Sequence, residues 1–395
     1  MRILIVAFAD IVASALGKRI HELSKGLVRN GCDVSVVAPM NFHGHEHEES
    51  IEGVRVLWAT SAIPSDVHSN LKRIRARVKF YRLLIRLLNS GVDAVVFSNP
   101  SSEMVPAIYL ARLKKAITIA TYDDARRLNM PATFTDYVTF SAGSVADRII
   151  PRIVSGNAAT STMLRKRILE IAPEKRAFIF PPVVDTEQFQ ECSAGRAAYR
   201  REFGVKEEML VGYLGTFWIV EGVKVLLSAA KELRNKQLGF KMVVCGEAHE
   251  GLPCDCVSEL VDEFGLRDIV RQTGWLEKKD VINVMSACDV LVVPKLLNEA
   301  NKAGMPAKLA EYMSMGKAVV VSRIGDIPLY AKDGQDCLMC EPGNASNIAS
   351  ALYRLGYDEP LRRSLGAAAR ISAQKHFDSR GVALSFLTEM TYLTR

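Results

Sequence analysis

The chain contains 395 residues, of which 49% are hydrophobic and 24% are charged. This length is typical of two domains, and this composition is that of an ordinary globular protein. It excludes a disordered, collagen-like or coiled-coil chain. No run of 18 apolar residues occurs in the sequence, so we expect no membrane-spanning helix.

The first residues and the cysteines indicate a cellular compartment. MRILIVAFAD runs directly into a strand-like segment and lacks the charged region and the small-residue cleavage site of a signal peptide. The eight cysteines are scattered along the chain, which is typical of reduced thiols. We therefore expect a cytoplasmic protein.

The net charge of +7 comes from one segment, residues 71–88. Without its seven basic residues, the rest of the chain balances at 44 basic and 44 acidic residues. They are Lys72, Arg73, Arg75, Arg77, Lys79, Arg82 and Arg86. Between them, apolar residues recur at helical spacing: Leu71, Ile74, Val78, Tyr81, Ile85 and Leu88. The segment is predicted to form an amphipathic helix with a broad basic face.

Such a helix can lie on an anionic membrane surface, where each Lys or Arg contributes about 1 kcal/mol. We therefore expect peripheral association with the inner face of the membrane. The alternative is a solvated helix whose apolar stripe packs on its own domain. Nucleic acid is not an expected partner, because no nucleic-acid motif or aromatic stacking platform accompanies the basic residues.

Strands alternate with helices along the whole chain. In the first half, a helix over residues 14–30 is flanked by strands, and the predicted strands are 2–7, 33–38, 54–58, 94–98, 117–121, 154–158 and 177–180. In the second half, helices over 223–235, 256–264, 279–287 and 308–315 separate strands over 209–214, 241–245, 270–273, 290–293 and 318–321. This alternation predicts parallel sheets that helices cover on both faces.

A proline-rich stretch divides the two series. Residues 181–189 form a predicted linker between an acceptor-side domain, 1–180, and a donor domain, 190–375. A helix over 376–395 is expected to return to the first domain. The predicted fold class is thus α/β, with two Rossmann-like, doubly wound domains facing across a cleft. Ligands in such sheets bind beyond the carboxyl ends of the strands.

Four segments of the sequence resemble glycosyltransferase family 4. They are FPPVVDTEQF at 180–189, VGYLGTFWIVEGVKVLLSAA at 211–230, TGWLEKKDVINVMSACDVLVVP at 273–294 and PAKLAEYMSMGKAVVVSRIGDIP at 306–328. The resemblance implies the GT-B fold and transfer of a sugar from a nucleotide-sugar donor with retention of its anomeric configuration. It implies no cofactor and no metal; a UDP- or GDP-sugar is the expected substrate.

The donor-binding residues are expected in the second domain. A glycine-rich turn before a helix lets backbone N–H groups approach phosphate oxygens, and Gly212 and Gly215 precede the helix that begins at Val223. By resemblance, Glu311 accepts hydrogen bonds from the ribose hydroxyls, and Lys308 pairs with the diphosphate as the leaving group develops charge. The complete predicted set is Gly212, Gly215, Thr216, Gly246, Lys308, Leu309 and Glu311.

The sequence departs from the family pattern at several positions. Ala303 stands where the first glutamate of the E-x7-E motif is expected, and Glu299 lies four residues too early. Thr216 and Glu221 replace a basic pair in the glycine loop. In the first domain, Ser98 or Asn99 stands where a histidine is often found.

The acceptor-side residues are expected in the first domain. Asp123 and Asp124 follow the predicted strand 117–121, in a setting that resembles the DxxD segment of related transferases. We expect one of them to act catalytically by orienting or deprotonating the acceptor hydroxyl; a helix N-cap is the competing interpretation. Gly17, Lys18, Ser98 and Asn99 complete the acceptor-side set.

Two possible metal sites are not favoured. His43, His45 and His47 fall in a polar loop, and the pair Cys254 and Cys256 lies 81 residues before the pair Cys337 and Cys340. The expected function is therefore transfer of a sugar to a glycan or lipid-linked acceptor, in polysaccharide or glycolipid biosynthesis. The alternatives are a catalytically silent nucleotide-sugar-binding scaffold and a sugar-nucleotide epimerase of the same fold.

Overall fold

The computed structural model describes residues 1–7, 15–38, 47–58, 70–123, 147–248 and 253–393. The chain divides into two compact units. Unit 1 comprises Met1–Val184, Ala303–Met305 and the tail from Ser379, and unit 2 comprises Asp185–Lys302 and Pro306–Asp378. The change at Val184 falls inside the predicted linker, residues 181–189.

Unit 1 is built on an eight-stranded sheet. Its elements are β1 (Arg2–Ala7), α1 (Ala15–Arg29), β2 (Asp33–Ala38), β3 (His47–Ile51), β4 (Val54–Trp58), α2 (Asn70–Asn89), β5 (Ala94–Ser98), α3 (Val105–Leu113), β6 (Ile117–Tyr122), α4 (residues 147–153), β7 (Gly156–Ala159), α5 (Thr162–Ile171) and β8 (Arg176–Ile179). The strand order is β3-β4-β2-β1-β5-β6-β7-β8. All neighbouring strands pair in parallel except β3, which forms an antiparallel hairpin with β4.

The central strands of unit 1 are buried on both faces, which explains their nearly continuous apolar sequences. One face packs against α1, through residues such as Ile20, Leu23 and Leu27. The opposite face packs against α2 and α3, through residues such as Leu84 and Ile108. This is the doubly wound arrangement predicted from the alternation of strands and helices.

The C-terminal tail forms α15, Ser379–Tyr392, and packs in unit 1 against α1. Gly26 of α1 permits this approach, because a Cβ there would overlap the backbone carbonyl of Ser379. Phe386 adds edge-to-face contacts with Phe178 and Phe180, whose ring centroids lie 5.4 and 5.1 Å away. A helix at the very end of the chain thus completes the core of the first unit.

Unit 2 is built on a six-stranded parallel sheet with the order β11-β10-β9-β12-β13-β14. Its elements are α6 (Ser193–Glu202), β9 (Met209–Leu214), a 3-10 turn (Ile219–Glu221), α7 (Val223–Asn235), β10 (Phe240–Cys245), α8 (Val257–Glu263), β11 (Val270–Gly274), α9 (Lys278–Ala287), β12 (Val290–Val293), α10 (Glu299–Ala303), α11 (Ala307–Ser314), β13 (Ala318–Ser322), α12 (Ile327–Tyr330), β14 (Leu338–Cys340), α13 (Ala345–Tyr357) and α14 (Glu359–His376). The predicted fold class is confirmed.

The phase predicted for the basic helix was wrong. In α2 the buried face consists of Phe80, Leu84 and Leu88, whereas Val78 and Ile85 are 43% and 42% exposed. Of the predicted stripe, Leu88 is buried and Tyr81 packs against the same core cluster. Lys79, Arg82 and Arg86 lie on the exposed side. The side chains of Lys72, Arg73, Arg75 and Arg77 lie outside the described part of the chain.

Candidate functional site

The carboxyl ends of the unit 2 strands lie at one edge of the sheet, because the strands are parallel. Three segments meet there: the loop after β9, the residues after β12, and the first turn of α11. They bring together Glu221, Lys295 and Lys308, which are separated by up to 87 residues in the chain. This is the edge at which ligands bind in open α/β sheets.

Glycines allow these segments to approach one another. Gly215 has a φ of +153°, and a Cβ at this position would overlap the Nζ atom of Lys308. A Cβ at Gly246 would overlap the carbonyl oxygen of Gly215, and one at Gly222 would overlap that of Pro294. The loop after β9 therefore requires glycine because backbone and a lysine ammonium group pack directly against it.

Gly212 does not lie at the turn where it was predicted. It occupies the interior of β9, and a Cβ there would overlap the Sγ atom of Cys288 and lie 2.9 Å from Leu291. A small residue is needed at this position for packing between the sheet and its covering layer. The sequence predicted that Gly212 belongs to the phosphate-binding turn, whereas in the structure it is required for packing inside the strand. The sequence alone could not show which side chains lie opposite this position.

The carboxylate of Glu221 lies between two ammonium groups. Its Oε1 atom accepts a hydrogen bond from Lys295 Nζ, and its Oε2 atom lies 2.6 Å from Lys308 Nζ. The three side chains are 10%, 13% and 15% exposed for Glu221, Lys295 and Lys308, respectively. Sequence reasoning treated Glu221 as the loss of a cation; the structure shows it as the partner of two cations.

The pKa values reflect this arrangement. Burial alone raises the pKa of Glu221, but attraction by the two lysines outweighs burial and holds that pKa at about 2. Burial lowers the pKa of Lys308, but Glu221 more than reverses the effect and raises it above the usual value. Burial lowers the pKa of Lys295, and Glu221 does not fully offset this. Glu221 is therefore ionised at neutral pH.

Two tyrosines connect this cluster to the backbone of the glycine loop. The hydroxyl of Tyr213 donates to the carbonyl of Thr216 at 2.7 Å and accepts from Lys308 Nζ at 3.2 Å. The hydroxyl of Tyr312, on α11, is bonded to both the N–H and the carbonyl of Leu214, at 2.8 and 3.1 Å. Because the Tyr312 side chain is fully buried, it fixes the position of α11 against the end of β9.

The other predicted donor residues lie on or near the same helix. Glu311 is half-buried, three residues after Lys308 on α11. Leu309 is fully buried, so its side chain belongs to the interior of the unit. Ala303 is also buried and belongs by its contacts to unit 1. Lys295 and Asn301 were missed in the sequence, because neither belongs to a recognised motif.

The carboxyl edge of the unit 1 sheet carries a second polar cluster. The carboxylate of Asp123, directly after β6, forms an ion pair with the guanidinium group of Arg19. The side chain of Asn99 accepts from the Asp123 backbone N–H at 2.9 Å. Arg19 also donates to the carbonyls of Phe180 and Pro181 and stacks over the Phe180 ring, 4.1 Å from its centroid. Sequence analysis missed Arg19.

This geometry bears on the prediction for Asp123. A carboxylate that is bonded to a buried guanidinium is held in a fixed position and is a weaker proton acceptor than a free carboxylate. The catalytic role of Asp123 stays a prediction. Of the other acceptor-side candidates, Ser98 has a buried hydroxyl without a hydrogen-bond partner in the described structure. Gly17 is buried in α1, Lys18 is exposed, and Asp124 lies outside the described residues.

Within the described part of the chain, no group of three or more His, Cys, Asp or Glu side chains is arranged to hold a metal ion. All eight cysteines are free thiols. His43 and His45 lie outside the described residues. No helix among the described residues has both the length and the apolar character needed to cross a bilayer.

Two family models match the chain. The model for Glycosyltransferase Family 4 matches residues 16–188, and the model for Glycosyl transferases group 1 matches residues 208–358. The two matches therefore fall mainly on unit 1 and on unit 2, respectively.

Two curated relatives are informative. A D-inositol 3-phosphate glycosyltransferase of Corynebacterium jeikeium is 27% identical over 235 residues, which are 58% of this chain and 52% of the relative. The match thus spans about half the length of that relative. A GDP-mannose-dependent α-(1-6)-phosphatidylinositol monomannoside mannosyltransferase of Mycobacterium tuberculosis is 24% identical, over 65% of this chain and 68% of its own.

The same architecture occurs in a solved structure, Anabaena HepE in complex with UDP and glucose. It superposes with a TM-score of 0.73 at 16% identity and covers 99% of each chain. At this identity the likeness shows the fold alone. The family models, together with this GT-B architecture, show that the chain belongs to glycosyltransferase family 4.

Proposed function

We propose that the protein is a retaining glycosyltransferase that uses a nucleotide-sugar donor. The observation that carries this proposal is the position of Lys308 and Glu311 on α11, with the Lys308 ammonium group directly against the glycine loop. A cation at a glycine-rich loop suits a diphosphate, and a carboxylate one helical turn away suits the ribose hydroxyls. The UDP named in the HepE complex is consistent with such a donor.

The proposed reaction requires no nucleophile from the protein. The bond between the anomeric carbon and the diphosphate breaks while the acceptor hydroxyl oxygen bonds to the same face of that carbon. The hydroxyl proton passes to the departing phosphate oxygen. Lys308 would stabilise the charge that develops on the diphosphate, and such electrostatic stabilisation is usually the largest contribution to catalysis.

One observation favours a second candidate, a catalytically silent nucleotide-sugar-binding scaffold. Ala303 provides no carboxylate at the position of the first E-x7-E glutamate. A panel of UDP- and GDP-hexoses separates the two functions: calorimetry measures binding, and release of nucleoside diphosphate, with and without glycan or lipid-linked acceptors, measures turnover. Turnover with retention of configuration by NMR supports the transferase. Tight binding with zero turnover on every donor supports the scaffold.

We also propose that the acceptor is lipid-linked or lies at the inner membrane surface, in polysaccharide or glycolipid assembly. Helices α2 and α3 cover the same face of the unit 1 sheet. Their exposed sides combine basic residues of α2 with large apolar residues, among them Ile85 at 42%, Tyr109 at 48% and Leu113 at 79% exposure. Neither helix contains an acidic residue. Such a surface is suited to anionic headgroups.

Sedimentation with phosphatidylglycerol vesicles tests the membrane proposal. Replacing Lys79, Arg82 and Arg86 by Ser should weaken binding by about 100-fold, at about 1 kcal/mol for each charge. The matched control replaces the exposed unit 2 residues Arg271, Lys278 and Lys279 by Ser and should bind as wild type does. Equal binding by both triple variants would reduce α2 to a packing element.

A further inference from the structure

The two lysines at the unit 2 edge retain hydrogen-bonding capacity. Lys308 Nζ donates to Glu221 and Tyr213, and Lys295 Nζ donates to Glu221 and to Asn301 Oδ1 at 3.2 Å. An ammonium group has three N–H bonds. In the described structure, one N–H of each lysine is therefore left without a protein acceptor.

A third unsatisfied donor lies in the same segment. The Nδ2 atom of Asn298 is buried and has no hydrogen-bond partner among the described residues. Its Oδ1 atom accepts from the backbone N–H of Asn301 at 2.8 Å, so the orientation of its amide is determined. Asn301 in turn donates to the carbonyls of Val220 and Leu296, at 2.9 and 2.8 Å, which joins this segment to the 3-10 turn that carries Glu221. Buried donors of this kind normally have a partner.

Each of the three groups is a donor, and two of them are cationic. The ligand that satisfies them must therefore supply acceptors, and two ammonium groups that share one carboxylate favour an anion. Glu221 keeps the two like charges together, because without it they would repel each other in a poorly solvated position. The carboxylate thus assembles a cationic site although it is itself negative.

We propose that Lys295 and Lys308 form a two-lysine clamp for the diphosphate of the nucleotide sugar, with Glu221 as its positioning residue. This inference rests on the proposed function and adds Lys295 as a donor-binding residue. Lys295 follows β12, and Lys308 lies in the first turn of α11. The glycines of the loop after β9 leave room for the two ammonium groups to lie close together.

The test compares UDP with UMP by calorimetry, with GDP and GMP in parallel. Lys295→Met should lower the ratio of UDP to UMP affinity by about 10- to 100-fold, the effect of one charge-assisted hydrogen bond. Lys295→Arg keeps the charge and should retain more of this ratio than Lys295→Met does. A folding defect would lower both affinities together, so the ratio isolates the contact to the second phosphate. Lys295→Gln removes the charge but keeps a polar side chain, and it should lower the ratio of UDP to UMP affinity as Lys295→Met does.

Lys302→Met is the matched control. Lys302 is 43% exposed and pairs with Glu299 on α10, a few residues from Lys295. Its ratio should equal that of wild type. A wild-type ratio in Lys295→Met would overturn the clamp, and so would an equal loss in Lys302→Met, since the effect would then be general.

Glu221→Gln tests the positioning role through the sign of its effect. If Glu221 holds the lysines in place, UDP should bind about tenfold more weakly, although a negative charge has been removed. Tighter or unchanged UDP binding by Glu221→Gln would show that the Glu221 carboxylate only competes with the phosphates for the lysines. That result would overturn its assignment as a positioning residue. A wild-type protein that binds no nucleoside diphosphate would overturn the proposed function itself. If wild type binds UDP, a failed variant overturns the clamp alone.

Discussion

The carboxyl edges of the two sheets carry similar side chains but balance their charges differently. In unit 1, Arg19 faces one carboxylate, Asp123, and donates from Nη2 to two backbone carbonyls. In unit 2, one carboxylate faces two ammonium groups, and donors are left over in the described structure. Among the described side chains, the first cluster pairs one cation with one anion, whereas the second places two cations around one anion.

This difference indicates a division of labour. A neutral, internally bonded cluster holds strand ends together and has little attraction for a phosphate. A cluster with spare donors around two cations is prepared for an anionic ligand before the ligand arrives, which reduces the reorganisation that binding requires. The comparison predicts that substitutions in unit 2 affect chiefly nucleotide binding, and that substitutions in unit 1 affect chiefly stability.

The largest expected effect on catalysis comes from Glu311→Ala. Loss of the carboxylate that we propose accepts from two ribose hydroxyls should lower kcat/KM by about 100- to 1000-fold, with the free energy of unfolding nearly unchanged. Steady-state kinetics with the preferred donor measures it. The control is Glu359→Ala, whose carboxylate is exposed and pairs with Arg363 within α14. Full activity of Glu311→Ala would contradict the assignment of Glu311 as a donor-binding residue.

The second effect is on the stability of unit 1. Arg19→Met removes the guanidinium group from Asp123 and from two carbonyls and should cost about 3–5 kcal/mol, because one partner of a buried ion pair is removed. Hydrogen exchange of the unit 1 amides measures this, and UDP affinity should not change. Arg112→Met, which breaks one exposed bond to the carbonyl of Ile153, should cost less than about 1 kcal/mol. A large loss of UDP affinity in Arg19→Met would contradict the comparison.

The third effect depends on pH. The pKa of Glu221 is about 2 in the folded protein, whereas its ordinary value is 4.5, so its ionisation contributes about 3 kcal/mol to stability. Because the folded-state pKa is the lower one, this contribution is fully present above pH 4.5 and is lost as the pH falls towards 2. Urea unfolding of wild type and Glu221→Gln from pH 7 to pH 3 should give curves that converge on the acid side. Parallel curves would show that the lysines do not lower this pKa.

The smallest effect separates two glycines. Gly215→Ala would displace the Lys308 ammonium group and should lower the ratio of UDP to UMP affinity by about threefold to tenfold. Gly212→Ala crowds Cys288 and Leu291 instead and should cost about 1–3 kcal/mol of stability, with an unchanged ratio. Thermal unfolding and the same calorimetry distinguish them. If Gly212→Ala lowered the ratio and Gly215→Ala lowered only stability, the proposed phosphate contact at Gly215 would be wrong.

Much of the architecture follows from the sequence alone. Runs such as residues 290–293 and 318–321 are short, apolar and rich in valine, as strands buried on both faces must be. The helix predicted over 223–235 has the same bounds in the structure. The antiparallel strand β3 was missed, because its sequence, HEESI, is largely polar. The type and the bounds of these elements can be predicted from local periodicity, because each strand or helix needs apolar side chains on its own buried faces.

What the sequence determined by itself is thus the two sheets, their helices, and the motifs that carry Lys308 and Glu311. Which charges meet was decided by tertiary structure alone. Glu221 lies 74 residues before Lys295, and Arg19 lies 104 residues before Asp123, so no local pattern pairs them. Parallel strands gather these residues because all their carboxyl ends share one edge, and electrostatic attraction at that edge acts through space, independently of order along the chain.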